Sequence, residues 1–293
     1  MSTVAIIGAG VIGLSWAQLF HDHGWAVAIS DPRPDVADVV REALGDRAVR
    51  IAPSLEDAVA GADFVQENGP ERIELKREVF AAIAAAAPSS AILASSTSSL
   101  LPSDIAEGNP AADRILIGHP FNPPALMPLV ELVPGKQTSS ATMDAAFEVY
   151  RSLDHAPVRL QTEIRGFVGN RLQKALNQEA YYLVQQGIVD PVGLDTVVKN
   201  SLGLRWATVG PFEGGHLGGG PDGIRHLAAN VGSQMTFPLG TPDPERMGGV
   251  IEQVEAAYGV GAEQYRARAA KRDDLTVRIL DVIAAQTDSE DRS

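Results

Sequence analysis

One histidine and one acid stand out in the stretch GHPFNPPALMPLVELV, which covers residues 118–133. His119 follows a buried-looking strand at 115–117, and Glu131 is the single acid of the stretch, twelve residues further on. Histidine exchanges protons near neutral pH, and a carboxylate on its other ring nitrogen orients the imidazole and stabilises its charged form. The pattern predicts that His119 is a general base. It also predicts that Glu131 is buried because it orients the His119 ring. The alternative is a core histidine beside an incidental acid.

A second group with chemical meaning is the G-x-G-x-x-G pattern of Gly8, Gly10 and Gly13, which follows a β-branched run and opens a helical pattern. In this context Gly8 permits a tight turn and Gly10 lets the backbone approach a diphosphate. Gly13 allows the helix to pack closely on the strand. With Val11 and Ile12 between them, these glycines predict a dinucleotide-binding turn. The alternative is a tight turn without a ligand.

Asp31 ends the next apolar run and lies 18 positions after Gly13 (31 − 13). A carboxylate there binds the adenosine ribose hydroxyls and repels a 2′-phosphate, so the sequence predicts NAD rather than NADP. Arg33 is the neighbour that could accommodate such a phosphate. A dinucleotide site together with a histidine base is typical of hydride transfer from an alcohol.

Alternating strands and helices must position these residues. The predicted strands are 4–7, 25–30, 64–66, 91–94, 115–117 and 129–132, and the predicted helices after the first are 54–60, 75–87 and 141–153. Continuous apolar strands that alternate with helices are typical of a parallel sheet covered on both faces. The first part is therefore predicted to be an α/β Rossmann-type domain with a mostly parallel sheet.

The character of the sequence changes after residue 163, because strand patterns disappear. Helical patterns cover 166–187, 191–201, 221–232, 245–258 and 262–286, while the glycine-rich stretch EGGHLGGGPDG at 213–223 is predicted to be a loop. We predict an NAD-binding domain over 1–163 and an all-α substrate and dimerisation domain over 164–293.

Composition narrows the function further. The net charge of −13 argues against nucleic-acid binding, and the absence of cysteine excludes disulfides and thiolate metal sites. No histidine–acid cluster has metal-ligand spacing, so no metal is predicted. No run is apolar enough for a membrane helix and no signal peptide is recognisable, so we expect a cytoplasmic protein.

Several stretches carry a resemblance to a known family. ASSTSSLLPSDIA at 94–106, the motif within 118–133, and GFVGNRLQKALNQEA at 166–180 resemble the L-3-hydroxyacyl-CoA dehydrogenase superfamily. QQGIVDP at 185–191 and SLGLRWATVGPFE at 201–213 are more similar to the branch that contains L-gulonate 3-dehydrogenase (lambda-crystallin) and L-carnitine dehydrogenase. The resemblance implies a Rossmann-type domain, a helical C-terminal domain, NAD as cofactor and a homodimer formed through the helical domain.

The resemblance also implies roles for individual residues. His119 matches the catalytic base and Glu131 its partner, while Asn170 and Ser98 match residues that contact the substrate oxygen. Three further positions match cofactor contacts: Glu71, Lys76 and Asn122. From the residues alone, Ser98 is equally well a turn hydroxyl, Asn170 a helix cap and Lys76 a solvated charge.

The substrate is either a coenzyme A thioester or a free acid. The segment from Asp31 to Ser54 is short and contains no lysine, which argues against a platform for coenzyme A phosphates, although it keeps four arginines, Arg33, Arg41, Arg47 and Arg50. Arg205 resembles an arginine of the gulonate and carnitine branch and could bind a free carboxylate bidentately. The alternative for Arg205 is a surface arginine lying beside Trp206.

The sequence therefore predicts an NAD-dependent dehydrogenase that oxidises a free L-3-hydroxy acid to the 3-keto acid. The acid is a sugar acid such as L-gulonate, or a carnitine-like compound. Carnitine would need an aromatic pocket for its ammonium group, and the aromatic candidates are Tyr181, Tyr182, Trp206 and Phe212. Two alternatives remain, a 3-hydroxyacyl-CoA dehydrogenase and a non-catalytic NAD-binding structural or sensor protein.

Overall fold

The computed structural model describes residues 1–230, 232–234 and 236–290, with side chains through residue 285. The chain divides into a compact unit at Met1–Arg171 and a second unit that begins at Leu172. The first unit extends eight residues beyond the predicted boundary at 163 (171 − 163). The reason is that the backbone at 168–169 is hydrogen-bonded to a residue of the sheet.

An eight-stranded sheet forms the centre of the first unit. Its strands are β1 (Thr3–Ile7), β2 (Ala26–Ser30), β3 (Val49–Ile51), β4 (Phe64–Glu67), β5 (Ile92–Ser95), β6 (Ile115–Pro120), β7 (Leu129–Pro134) and β8 (Ala156–Arg159). Their order is β3-β2-β1-β4-β5-β6-β7-β8, and all neighbours are parallel except β6 and β7. The predicted Rossmann-type fold with a mostly parallel sheet is confirmed. The sequence patterns missed β3 and β8 because these edge strands are short and largely exposed.

Helices cover both faces of the sheet. They are α1 (Val11–Asp22), α2 (Val36–Leu44), α3 (Leu55–Val59), α4 (Ile73–Ala86), α5 (Pro102–Ile105) and α6 (Ser140–Arg151). Alternate residues of a strand point to opposite faces, so β1 contributes to two cores. Val4 packs in one core with Trp16 of α1, and Ala5 packs in the other with Phe80 of α4. Burial on both faces explains the continuous apolar pattern of the central strands.

Helices alone make up the regular structure of the second unit, as far as the structure describes it. They are α7 (Gly169–Gln185), which starts in the first unit, α8 (Pro191–Asn200), α9 (Leu202–Trp206), α10 (Pro211–Gly218), α11 (Gly223–Asn230), α12 (Met247–Tyr258) and α13 (Ala262–Glu290). The prediction of an all-α second part is therefore confirmed. Within the described ranges, no helix has the length and apolar character needed to cross a membrane.

The prediction of a loop at 213–223 is wrong. Helix α10 occupies most of the stretch, and a 3₁₀ turn follows at Gly220–Asp222. Pro211 starts α10 at a position where the missing N–H costs nothing. A Cβ on Gly219 would lie 1.7 Å from the carbonyl oxygen of Gly223, so the glycines allow a close approach of the chain to itself. Composition suggested flexibility, whereas the tertiary structure uses the glycines for packing.

Candidate active site

The glycine turn between β1 and α1 has the shape that a dinucleotide requires. Gly8 has a φ of 96°, and a Cβ there would lie 3.0 Å from the carbonyl oxygen of Asn68. A Cβ on Gly13 would lie 1.9 Å from the carbonyl oxygen of Gly8, so only glycine lets α1 approach the turn. Gly10 precedes α1, and nothing lies within 4 Å of a Cβ built on it. The N-terminus of α1 is therefore open to a diphosphate, and the residues fit NAD.

Asp31 lies directly beside this turn. Its Oδ2 accepts a hydrogen bond of 2.7 Å from the backbone N–H of Ala9, and its Oδ1 accepts one of 2.8 Å from Nε of Arg33. Arg33 also donates to the carbonyl oxygen of Ala9 at 2.7 Å. Burial raises the pKa of Asp31, but the hydrogen bonds from Arg33 and Ala9 outweigh it and leave the pKa below its ordinary value. An ionised carboxylate at the end of β2 suits ribose hydroxyls, and it also holds Arg33.

Two cavities adjoin the glycine turn. The larger, of about 780 Å³, is lined by the turn, by Asp31 and Arg33, and by apolar side chains that suit an adenine ring, among them Pro53, Leu55, Leu75 and Val79. The smaller, of about 390 Å³, is lined by Ile12 of α1 and by the segments that follow β4 and β5, including Glu71 and Ser96–Ser99. Val11, which was also predicted to line the turn, is 71% exposed. Both cavities thus lie at the carboxyl ends of parallel strands, where open α/β sheets bind ligands.

His119 and Glu131 form the predicted pair. Nδ1 of His119 and Oε2 of Glu131 are 2.9 Å apart, and both residues are buried. The His119 ring lies between Phe121 and Phe167, with ring centroids 5.7 Å and 5.2 Å away. The carboxylate therefore binds one ring nitrogen while two aromatic rings restrict rotation of the imidazole.

The other oxygen of Glu131 binds the start of α7. Oε1 accepts hydrogen bonds from the backbone N–H groups of Val168 at 2.8 Å and Gly169 at 3.0 Å. Burial raises the pKa of Glu131, but the hydrogen bonds from His119, Gly169 and Val168 outweigh burial and hold the pKa below its ordinary value. Phe167 adopts a φ of 49°, a strained conformation for a residue with a side chain, at the turn that presents these amides. Glu131 is thus a fixed, ionised acceptor for the Nδ1 proton.

The free nitrogen of His119 is Nε2. Among the described side chains, no buried nitrogen or oxygen lacks a hydrogen-bond partner. The structure gives Nε2 no partner within the described residues, so this atom reaches solvent although the residue is only 4% exposed. Because the ionised Glu131 accepts a hydrogen bond from Nδ1–H, neutral His119 presents a lone pair on Nε2. That is the arrangement of a general base.

Ser98 and Asn170 are brought together, as the substrate prediction requires. Nδ2 of Asn170 donates to the carbonyl oxygen of Ser98 at 3.3 Å. Asn170 follows Gly169 directly, so the amides that bind Glu131 and the side chain that contacts Ser98 lie on one turn. Asn170 therefore does not act as a helix cap, which was the structural alternative for this residue.

Glu71 supports the loop that carries Ser98. Its Oε1 accepts hydrogen bonds from Oγ1 of Thr97 at 2.6 Å and from the backbone N–H groups of Ser98 at 2.9 Å and Ser99 at 3.0 Å. Burial raises the pKa of Glu71, but these hydrogen bonds and Lys76 outweigh it and lower the pKa overall. Glu71 also lines the smaller cavity, where a cofactor contact is predicted. Its contacts identify it first as a support for residues 97–99.

Lys76 is not the solvated charge that its sequence context suggested. Its Nζ lies 2.8 Å from each carboxylate oxygen of Glu67 and 3.1 Å from the carbonyl oxygen of Gly69. These three acceptors occupy all three ammonium hydrogens, so a direct bond to a cofactor would have to replace one of them. Lys76 stays a predicted cofactor residue, and among its contacts is the carbonyl oxygen of Gly69, which lines the larger cavity. Its spacing from Phe80 and Ile83, all on the buried face of α4, was the missed signal.

Three polar residues of the predicted site, Ser98, Asn122 and Arg205, have no side-chain hydrogen bond among the described residues, and Ser98 is bonded through its backbone alone. Asn122 is exposed in the turn between β6 and β7. Arg205 lies in α9 of the second unit, where it is exposed next to Trp206, which is 45% exposed. The guanidinium of Arg205 and the side-chain amide of Asn122 therefore make no hydrogen bond to the described residues.

A buried polar group near the backbone of Gly118 was not predicted. Gln66, fully buried in β4, accepts a hydrogen bond of 2.6 Å from Oη of Tyr150 in α6 and donates to Oγ of Ser96 at 2.8 Å. Its Nε2 also lies 3.5 Å from the carbonyl oxygen of Gly118, the neighbour of His119. The sequence signal was a glutamine followed by a glutamate in a strand that is otherwise apolar.

Comparison with family models places the chain in a known family. The model described as 3-hydroxyacyl-CoA dehydrogenase, NAD binding domain, matches residues 3–52 and 47–164. The model of the C-terminal domain of the same family matches residues 166–241. The chain belongs to the 3-hydroxyacyl-CoA dehydrogenase family. It is an NAD-dependent oxidoreductase, and the resemblance inferred from its motifs is confirmed.

Named relatives in this dehydrogenase family differ in the substrate that their names state. L-carnitine dehydrogenase of Pseudomonas syringae is 35% identical over 308 residues, which cover 97% of this chain and 95% of the relative. A 3-hydroxyacyl-CoA dehydrogenase of Gibberella moniliformis is 42% identical over 248 residues, which cover 78% and 77% of the two chains. A lambda-crystallin homolog of Bos taurus is 38% identical, with 94% of each chain covered.

A solved dehydrogenase has a similar structure over nearly the whole chain. It is 5-formyl-3-hydroxy-2-methylpyridine 4-carboxylic acid 5-dehydrogenase, described as an NAD⁺-dependent dismutase. The TM-score is 0.84 at 28% sequence identity, and the match covers 97% of this chain and 99% of the other. Its name states a substrate that is a carboxylic acid.

Proposed function

We propose that this dehydrogenase oxidises a free L-3-hydroxy acid to the corresponding 3-keto acid, with His119 as the general base. The observation that carries the base assignment is the hydrogen bond between Nδ1 of His119 and Glu131, which leaves Nε2 unpartnered among the described residues. A lone pair on Nε2 accepts the proton of the substrate hydroxyl. Bound NAD supplies the acceptor for the hydride.

Each neighbouring side chain has a defined task in this proposal. Glu131 keeps the Nδ1 proton in place and stabilises the imidazolium that forms when Nε2 takes up the hydroxyl proton. Ser98 and Asn170 hold the reacting oxygen, and the 3.3 Å bond from Asn170 to the Ser98 carbonyl fixes their spacing. Phe121 and Phe167 shield the imidazole from bulk water. Asn122 stays a predicted contact near the nicotinamide.

A free acid is favoured over a coenzyme A thioester by the arginines between β2 and α3. Each of them is engaged within the chain, since their partners are Asp31 for Arg33, Asp38 for Arg41, Asp22 for Arg47 and the carbonyl of Asp57 for Arg50. A coenzyme A phosphate would have to compete with these contacts. The names of the carnitine dehydrogenases and of the similar solved enzyme point in the same direction.

Arg205 is the residue that we propose for the substrate carboxylate. A guanidinium binds a carboxylate through two parallel hydrogen bonds, which a lysine cannot do. No hydrogen bond or ion pair of this guanidinium occurs among the described residues, so it is available to a ligand. In a coenzyme A thioester the carboxyl carbon is bonded to sulfur, so the substrate has no charged carboxylate for Arg205 to bind.

The decisive experiment is NADH formation on two matched substrate panels. L-carnitine, L-gulonate and L-3-hydroxybutyrate are compared with short-chain L-3-hydroxyacyl-CoA thioesters, for the wild type and for Arg205→Ala. We expect activity on at least one free acid, with a kcat/KM at least about 100-fold lower in the variant, the loss of a charged hydrogen-bonded pair. Arg225→Ala, another exposed arginine of the second unit, serves as the control and should match the wild type. Activity confined to thioesters and indifferent to Arg205 would refute the proposal in favour of an acyl-CoA enzyme.

Turnover also separates an enzyme from a non-catalytic NAD-binding protein. Tight NADH binding without turnover on either panel would favour a structural or sensor role, such as the one lambda-crystallin names suggest. We further propose that the protein is a cytoplasmic homodimer that associates through its helical unit. Light scattering coupled to size-exclusion chromatography tests this, because a mass of one 31.0 kDa chain would contradict it.

A further inference from the structure

A line of hydrogen bonds runs from α6 through the sheet to Asn68, which lines the two cavities beside the glycine turn. Oη of Tyr150 is 2.6 Å from Oε1 of Gln66, and Nε2 of Gln66 is 2.8 Å from Oγ of Ser96. Oγ of Ser96 is 2.7 Å from Oδ1 of Asn68 and 3.1 Å from Nε1 of Trp16. Trp16, Gln66 and Tyr150 are completely buried, whereas Asn68 is partly exposed. The buried end of the line therefore connects to a residue that lines both cavities beside the glycine turn.

Two groups fix the direction of every proton in this line. The indole N–H of Trp16 can only donate, and the backbone carbonyl of Gln66, which lies 2.8 Å from Nδ2 of Asn68, can only accept. Asn68 therefore directs its nitrogen to that carbonyl and its oxygen to Ser96. Ser96 uses its single hydrogen for Asn68 and must accept from both Trp16 and Gln66. Gln66 then directs its oxygen to Tyr150, which donates; burial raises the pKa of this hydroxyl and keeps it protonated.

One hydrogen remains unassigned at the end of the line. Nδ2 of Asn68 carries two hydrogens, one of which goes to the Gln66 carbonyl, and no second acceptor for it occurs among the described residues. Nδ2 lies 3.4 Å from the position of a Cβ built on Gly13, so it adjoins the glycine turn. Asn68 lines the 780 Å³ cavity of the adenosine side and also the 390 Å³ cavity towards Ser98. The second amide hydrogen of Asn68 is therefore a free donor within the described residues, where the two cavities adjoin each other.

We propose that Asn68 binds the central part of NAD, by donating its second amide hydrogen to the nicotinamide-side phosphate or to the ribose attached to that phosphate, and that Tyr150, Gln66 and Ser96 hold its amide in the donating orientation. Asn68 is then a cofactor-binding residue and Tyr150 a positioning residue that acts through Gln66. The inference concerns the cofactor only. It is independent of the proposed substrate, because it is tested without any hydroxy acid.

The first test measures binding of AMP, ADP, ADP-ribose and NADH to Asn68→Ala by calorimetry. We expect unchanged AMP affinity and about tenfold weaker binding of ADP-ribose and NADH, the loss of one hydrogen bond to a polar ligand. A matching loss for ADP identifies the diphosphate as acceptor, and unchanged ADP identifies the ribose; both outcomes support the proposal. Asn109→Ala removes an asparagine that bonds the backbone of Ala111 in a distant turn and should bind all four ligands normally.

The second test addresses the positioning residue with Tyr150→Phe. Loss of the hydroxyl deprives Gln66 of its donor and allows its amide to invert, after which Ser96 no longer donates to Asn68. We expect weaker binding of ADP-ribose and NADH, by a smaller factor than in Asn68→Ala, and unchanged AMP affinity. A purely structural role of Tyr150 would instead lower the melting temperature and weaken AMP and NADH alike.

The overturning results are equally specific. NADH and ADP-ribose affinities in Asn68→Ala that equal those of the wild type would remove Asn68 from the cofactor site. Equal weakening of AMP and NADH in that variant would mean that the glycine turn had collapsed, which also overturns a direct contact. Normal NADH binding in Tyr150→Phe, with a loss in Asn68→Ala, would overturn the positioning role.

Discussion

His119 and Glu131 are directly opposite each other on the antiparallel strands β6 and β7, and a 2.9 Å hydrogen bond joins their side chains. Side chains of opposite residues in such a ladder point to the same face and lie close together. The carboxylate therefore needs no loop to bring it to the imidazole. Because its second oxygen binds the backbone of Val168 and Gly169, the start of α7 is fixed by the same residue.

Replacing Glu131 by glutamine should abolish most turnover through the tautomer of His119. In Glu131→Gln the amide oxygen can still accept from Val168 and Gly169, which directs the amide nitrogen to Nδ1. Nδ1 then accepts, the ring proton moves to Nε2, and the base loses its lone pair. We expect kcat to fall by about 10³-fold to 10⁴-fold, with NADH affinity retained. A steady-state kcat within threefold of the wild type would contradict the assigned tautomer.

Replacing His119 itself should remove the base without disturbing the cofactor. His119→Asn keeps a donor for Glu131 at nearly the same place, and we expect kcat to fall by about 10²-fold to 10⁴-fold. NADH binding, followed by its fluorescence, should stay within a factor of about two. His21→Asn changes a partly exposed histidine of α1 and serves as the control. Equal activity of both variants would exclude His119 as the base.

Replacing Asp31 should weaken the preference for NAD. In the structure Arg33 donates to the Asp31 carboxylate, so Asp31→Ser removes the repulsion of a 2′-phosphate and also releases a cation for it. We expect the ratio of kcat/KM for NAD to that for NADP to fall at least about tenfold. The double variant Asp31→Ser with Arg33→Ala should not show the increase in kcat/KM for NADP. An unchanged ratio in Asp31→Ser would refute the ribose assignment.

Gly169 should tolerate no side chain. A Cβ there would lie 2.4 Å from Cζ of Phe121 and 3.5 Å from Oε2 of Glu131. Gly169→Ala should therefore lower stability by about 1–3 kcal/mol, the typical cost of overpacking, and reduce kcat by displacing the amides that bind Glu131. Gly248→Ala in α12 is the matched control, since nothing lies within 4 Å of its Cβ. Thermal and urea unfolding would show a gain of about 1 kcal/mol for the control.

Stability should fall in acid because of Glu131. The folded state lowers the pKa of Glu131 below its ordinary value of 4.5, so the ionised carboxylate stabilises the fold above about pH 4.5. This contribution is lost as the pH falls through the folded-state pKa, because protonation is then easier in the unfolded chain. Glu131→Gln should be less stable at pH 7, yet its melting temperature should fall less between pH 6 and pH 3.5. Parallel curves for the two proteins would contradict this linkage.

Much of the fold could be predicted because its signals are local. The strand 4–7, the glycine turn and the helix after it are specified by apolar runs and by the conformational freedom of Gly8, and all occur as predicted. The edge strands β3 and β8 escaped prediction, because exposed strands lack a continuous apolar pattern. The glycine-rich stretch at 213–223 was misjudged because composition does not distinguish a flexible loop from closely packed helices.

The sequence by itself predicted the dinucleotide turn, the pairing of His119 with Glu131 and the family, because these rest on residue type, spacing along the chain and strand alternation. Only the tertiary structure decided that Lys76 lies buried on Glu67 and that Arg33 is bound to Asp31. It also decided that Tyr150 donates a hydrogen bond to Gln66, which lies 84 positions away in the sequence. Such contacts depend on which helix packs on which strand, and on the need of every buried polar group for a partner. A local pattern can mark a buried face, as the spacing of Lys76 on α4 does, but it does not identify the partner across the fold.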